Sequence, residues 1–170
     1  MRRRGPPLRA IAYHEAGHAV ICWREQVEVE IASIIPQGSS LGRIQHQSAL
    51  QGIDLACDNS LDGRARAESL IRIAMAGPLA QRRIDPHRFC HYNSRGDYES
   101  ATNVLTHLAG ADDELSAYWR LLRIQTKNIL SLEEVWQCVE RVAEALLESK
   151  TLSADDIGAL FLEFTPPPAL

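Results

Sequence analysis

His14 and His18 stand four residues apart, with Glu15 directly after the first of them. On a helix that spacing puts both imidazoles on one face, one turn above the other. Two neutral imidazoles so placed can ligate one zinc ion, and the adjacent carboxylate can polarise a water bound to it. The pattern predicts a metal held by His14 and His18, with Glu15 as the catalytic base. The competing reading is a surface helix carrying two solvated histidines. Gly17 weighs against it. A glycine inside a helix costs about 1 kcal/mol relative to alanine, so its presence predicts close approach by another element.

A catalytic zinc usually takes three protein ligands and leaves one position for water. One extended form of the motif would need glycine at 21 and histidine at 24, where Ile21 and Arg24 stand. The third ligand must therefore be remote. The candidates are His46, Glu68, His87, His91, Asp97, Glu99 and His107. Asp97 leads, because it follows Gly96 at a predicted helix start, where a sharp turn is expected to free its carboxylate. The same position suits an aspartate that merely caps the helix or complements its dipole. Glu68, mid-helix beside an apolar stripe, is the rival. His46 is weighed as an oxyanion donor against a plain exposed strand histidine. His87, Cys90 and His91 are weighed as a second metal site against a loop without ligands.

The positioning elements follow from periodicity. The first helix is predicted over residues 8–25, with Pro7 at its start. Alternating residues 27–35 and a short run at 41–47 predict two strands forming a hairpin that must pack on helices. A second helix is expected over 64–76, interrupted at Gly77-Pro78 because proline disfavours helix at the residue before it, with a further turn or two over 79–83. Helices are predicted over 97–109, ended by Gly110, and over 113–129. A capping box of Ser131 and Glu134 is expected to start the next. Ser153 is expected to cap a last helix to 162, stopped by the prolines at 166–168. The expected class is mainly α, or α+β: a zincin-like helical domain with a small β-hairpin or sheet beside the motif helix.

Composition bounds the rest. The chain has 170 residues, 45% hydrophobic and 24% charged, which suits one domain with a sizeable core. We read residues 1–8 as a short basic arm, 9–163 as that domain and 164–170 as a proline-rich tail. A net charge of −4 argues against nucleic acid as the main partner. No apolar run approaches the roughly 20 residues of a membrane span, and the basic start is not followed by a secretory signal. Cys22, Cys57, Cys90 and Cys138 form no C-x-x-C pair. Their wide spacing fits a reducing, cytoplasmic setting, with Cys22 and Cys138 as core residues.

Several ordered blocks together resemble the zinc metalloprotease domain of the FtsH family of ATP-dependent proteases. They are Ala12-Tyr-His-Glu-Ala-Gly-His-Ala-Val20, Ile34-Ile-Pro-Gln-Gly38 with Leu41-Gly42, Met75-Ala-Gly77 and Gly96-Asp-Tyr-Glu-Ser-Ala-Thr102. Weaker similarity runs through Ala143-Glu-Ala-Leu-Leu-Glu-Ser-Lys-Thr-Leu152. The resemblance implies zinc on His14, His18 and Asp97, Glu15 as base, and a helical domain with a small β element. It also implies a zinc endopeptidase acting on unfolded polypeptides or peptides, and rings make oligomers conceivable. The chain departs from the family in having Pro78 where a charged residue is common, in its loop over 48–62, and in lacking a G-x-x-x-x-G-K-S/T phosphate loop. Unfolded substrate would then come ready-made or from a separate unfoldase. Met1 lies close to the motif, which favours a stand-alone protein, with an excised domain as the open alternative. Two further readings are a zinc-stabilised interaction module with little catalysis and an amidase for small substrates.

Overall fold

The computed structural model describes residues 6–38, 40–58, 60–87, 89, 94–162 and 164. The predicted class is found: six helices with one small antiparallel sheet. In chain order these are α1 (Leu8–Arg24), β1 (Val29–Ser33), β2 (Arg43–His46), α2 (Leu61–Ile84) and α3 (Arg95–Leu105). Then follow α4 (Asp112–Ser131), α5 (Glu133–Ser149), β3 (Thr151–Ser153) and α6 (Ala154–Phe161). No described helix is long and apolar enough to cross a membrane.

The motif helix α1 is the centre of the molecule. It packs on α2 and α5 and touches the sheet, so it is buried well beyond one stripe, from Ala10 to Cys22 with only His14 less enclosed. Small residues make this possible. A Cβ on Gly17 would lie 2.7 Å from Ala80 Cβ and 2.8 Å from the Ala76 carbonyl oxygen. The close approach predicted from Gly17 is therefore that of α2.

α2 corrects the expected break at Gly77-Pro78. It runs unbroken for 24 residues with Pro78 inside it and fully buried. Proline removes one amide donor and crowds the carbonyl four residues back, a penalty of about 3 kcal/mol. Ile71, Ile73, Met75, Ala76 and Ala80, all buried on either side, hold the helix together across it. Ser60 caps its start, accepting from Gly63 N–H at 3.0 Å.

The predicted hairpin is part of a three-stranded sheet in the order β2-β1-β3. β1 pairs with β2 from Ser33↔Arg43 to Val29↔His46, with a bulge between Val29 and Ile31. It pairs with β3 through Ala32↔Leu152 and its neighbours. The chain leaves α5 for β3 through Lys150, at φ 66°. Among the described residues, β2 is left with an open edge.

Three helix ends also differ from expectation. α3 stops at Leu105, and Leu108 tucks back into the core. Gly96 lies within α3, so no sharp glycine turn precedes Asp97. Ser131 belongs to α4, its hydroxyl donating to Lys127 O at 2.8 Å, so the box with Glu134 does not form. The box that does form is at Ser153, where Asp156 accepts in return from the Ser153 amide at 2.9 Å. Residues 1–5, Cys90, His91 and the prolines at 166–168 lie outside the described residues.

An alanine at an exposed helical glycine stabilises by about 1 kcal/mol. At Gly17 the backbone of α2 stands in the way. Gly17→Ala is expected to lower stability by about 1–3 kcal/mol, read as a lower urea midpoint; a raised midpoint would refute the close packing of α1 on α2.

Candidate metal centre

His14 and His18 project from one face of α1, as their spacing requires. One stripe of α2 receives them. Ile73, Gly77 and Gln81 are each one turn apart, and all three serve the histidines. The buried Ile73 carbonyl accepts from His18 Nδ1–H at 2.7 Å. Gly77 leaves room for the His18 ring: a Cβ there would lie 2.2 Å from Nε2. Gln81 Oε1 accepts from His14 Nδ1–H at 3.0 Å, with Gln81 itself 4% exposed. Both Nδ1 atoms thus spend their protons on acceptors in α2. This leaves the Nε2 lone pairs pointing outward.

α3 brings the third group. Asp97, Ala101 and Leu105 recur every four residues, and the last two are buried against α2 and α4 with Met75 and Leu122. That packing turns the Asp97 face of α3 toward α1. Asp97 Oδ2 lies 3.1 Å from His14 Nε2, and Oδ1 lies 3.4 Å from His18 Nε2. The two Nε2 atoms are 3.1 Å apart. Asp97 sits in the first turn of α3, but its carboxylate is spent on the imidazoles. Among the described residues, His14, His18 and Asp97 are the cluster whose donor atoms converge closely enough for one ion.

The donor set fits zinc. Ligand atoms about 2.0–2.1 Å from a tetrahedral centre stand about 3.3 Å from one another, close to the three separations seen. Two imidazole lone pairs facing each other beside a carboxylate also need a positive charge between them. Without metal a proton must supply it. His18 accordingly holds its proton to about 9: burial works against the charge, but the Asp97 carboxylate outweighs it. Asp97 is in turn held well below the usual carboxylate range; burial pushes it up, and the two imidazoles overcome that.

Glu15 is 5% exposed on the same cleft. Burial pushes its pKa up, partly offset by His14 and His18, while Asp97 adds to the rise. Gly42, just before β2, lies over it: a Cβ there would be 2.5 Å from Glu15 Oε1. The cleft encloses about 540 Å³ and runs between the edge of β2 and the start of α3.

The other candidates stand elsewhere. Glu68 accepts from the Tyr118 hydroxyl and pairs with Arg72 at 3.4 Å, tying α2 to α4. Glu99 pairs with Arg95 at 2.6 Å on the cleft rim. His46 does not line the cleft, and its Nδ1 donates to Gln47 O at 2.7 Å. His87 and His107 are exposed. Cys90 and His91, needed for a second site with His87, lie outside the described residues. Sequence reasoning missed Gln81, Gly77 as the seat of His18, and Gly42 as the cover of Glu15. The four-residue spacing from 73 to 77 to 81 was the available signal.

No protein-family model matches the chain. It is 25% identical, over 94% of its length, to ATP-dependent zinc metalloprotease FTSH 9, chloroplastic/mitochondrial, of Oryza sativa subsp. japonica. It is 26% identical over 89% of its length to ATP-dependent zinc metalloprotease FtsH of Rickettsia typhi. To the protein of that name in Rickettsia conorii it is 31% identical over 56% of its length. The relationship is distant. It covers most of this chain, which spans 22%, 28% and 14% of those relatives in turn. It supports a protease-related ancestry, and the relatives that carry it are zinc enzymes by name.

Two outcomes are expected of the centre. In the metal-free chain the raised His18 pKa contributes stability that is fully present below about pH 6.5. That stability is lost as pH rises through about 9. The melting temperature of metal-free protein should fall across that window, and saturating zinc should abolish the fall. A metal-free melting temperature that rises from pH 6.5 to 9 would contradict the shared-proton geometry. Removing the acceptor of His14, as in Gln81→Leu, is expected to weaken zinc binding about 10–100-fold, read by competition with a chromophoric chelator.

Proposed function

We propose that this chain is a zinc-dependent endopeptidase that hydrolyses peptide bonds of unfolded polypeptides or peptides. The observation that carries the reading is the convergence of His14, His18 and Asp97 at 3.1–3.4 Å on one cleft that also holds the buried Glu15. The distant relatives support it by name. His14 and His18, through Nε2, and Asp97, through its carboxylate, would hold the zinc. When bound, it would supply Lewis acidity, lowering the pKa of a bound water toward neutrality and polarising the scissile carbonyl.

The chain's own residues do the remaining work. Glu15 accepts the proton of the attacking water and passes it to the departing amine. Its burial favours the protonated form, so it holds the proton more readily than a solvated carboxylate would. Ile73 and Gln81 fix the tautomer of both histidines, keeping Nε2 unprotonated for the metal. The open edge of β2 beside Glu15 offers backbone amides and carbonyls to an extended peptide. That mode of pairing needs an unfolded segment and gives affinity with little demand on sequence. A folded substrate therefore has to be unfolded before it is cut, by thermal opening or by a separate unfoldase.

Glu15→Gln is expected to retain one zinc per chain and to lose at least about 100-fold in cleavage of an unstructured protein. Asp97→Ala is expected to lose the metal and Glu68→Ala to keep it, both read by metal analysis of the purified protein. Cleavage at the wild-type rate by Glu15→Gln would remove that residue from the base role. Loss of zinc in Glu68→Ala alone would overturn the ligand set. A wild-type chain that loads zinc and binds peptides without cutting them would instead be an interaction module.

A further inference from the structure

The cleft carries a cation that the chemistry above does not use. Arg43 opens β2, directly after Gly42, the residue that lies over Glu15. It lines the same cleft as the two histidines and Asp97. Its guanidinium donates to Gln37 Oε1, a neutral acceptor, and no carboxylate among the described residues pairs with it. The other charges of the cleft differ in this respect. Arg95 is matched by Glu99 at 2.6 Å, and Asp97 is committed to the imidazoles.

We infer that Arg43 is a specificity-determining residue, selecting peptide segments that carry an acidic side chain close to the scissile bond. The inference rests on the endopeptidase reading and adds the substrate class. A peptide laid along the β2 edge passes Gly42 and Arg43 in succession, so the bond facing Glu15 and the side chain facing Arg43 are neighbours along the substrate. Arg43 keeps donors beyond the single bond to Gln37, and a guanidinium can grip a carboxylate through two parallel hydrogen bonds. Backbone pairing supplies affinity without sequence preference. One unpaired cation beside the edge breaks that indifference. A basic side chain at the same subsite meets like charge and is disfavoured.

The test uses the zinc-loaded chain and short unstructured peptides in which one position at a time carries Glu, Gln or Lys, with products identified by mass spectrometry. At one position relative to the cut, Glu is expected to exceed Gln by about three- to tenfold in kcat/KM. Arg43→Gln should erase that difference, Arg43→Glu should invert it in favour of Lys, and Arg43→Lys should keep its sign at reduced size. Molar salt should shrink it, because the Debye length falls to about 3 Å. The same peptides, dye-labelled, are bound to zinc-loaded Glu15→Gln with and without Arg43→Gln, and anisotropy should follow the same order. No Glu preference at any position, or one unchanged in Arg43→Gln and Arg43→Glu, overturns the assignment. If the wild-type chain cuts no peptide, the endopeptidase reading fails by itself. The anisotropy series then still decides whether Arg43 recognises a carboxylate.

Discussion

The contact between α1 and α2 is the constraint on which the rest of the structure depends. Gly17 lets the two backbones meet against Ala76 and Ala80, and Gly77 accepts the ring of His18 in return. Two glycines in helices are costly in isolation. Here each removes a Cβ that would force the helices apart. Only at this separation can the Ile73 carbonyl reach His18 Nδ1 and Gln81 reach His14 Nδ1. The packing of two helices therefore determines which nitrogen of each histidine faces the cleft. Buried Pro78 belongs to the same contact: a helix held on both sides by core residues tolerates a missing amide that would break a solvated one.

Electrostatics work against this arrangement unless a cation is present. Two imidazole nitrogens and a carboxylate converge within hydrogen-bonding distance, with both other nitrogens already donating. A hydrophobic core gains nothing from such a cluster, and burying it unpaired costs several kcal/mol. The fold nonetheless holds it through two separate sets of contacts, α1 on α2 and α3 on α2 and α4. Two packings that share α2 thus converge on a point that needs a positive charge, which a proton on His18 supplies in the metal-free chain and a metal ion would supply under the proposed function.

Much of this was legible in the sequence. The motif helix, the helical class and the pairing of His14 with His18 follow from spacing alone. Asp97 was legible for a reason other than the one first apparent. No glycine turn frees its carboxylate; it shares a four-residue stripe with the buried Ala101 and Leu105. β3 was not legible, since three residues carry no periodicity and only pairing with β1 makes them a strand. Ser131 and Glu134 have the spacing of a capping box, yet α4 runs through Ser131 and ends where Leu132 turns to extended backbone. Gln81, beside Arg82 and Arg83, reads as surface, because residue type says nothing about which face α1 covers.

The placement of Asp97 resolves a conflict between two physical demands. A carboxylate in the first turn of a helix is stabilised by the helix dipole, which lowers its affinity for a proton and, by the same token, its strength as a ligand. A carboxylate buried against imidazoles is pushed the other way by desolvation. With a quarter of its side chain still exposed, Asp97 stays ionised without being spent on its own helix. It can therefore meet a cation as an anion and leave one side of the centre open to the cleft. Glu15 occupies the complementary condition, buried and favouring its proton. Two carboxylates within one cleft are thus driven apart in proton affinity by their surroundings, a difference that under the proposed function would separate a metal ligand from a proton carrier.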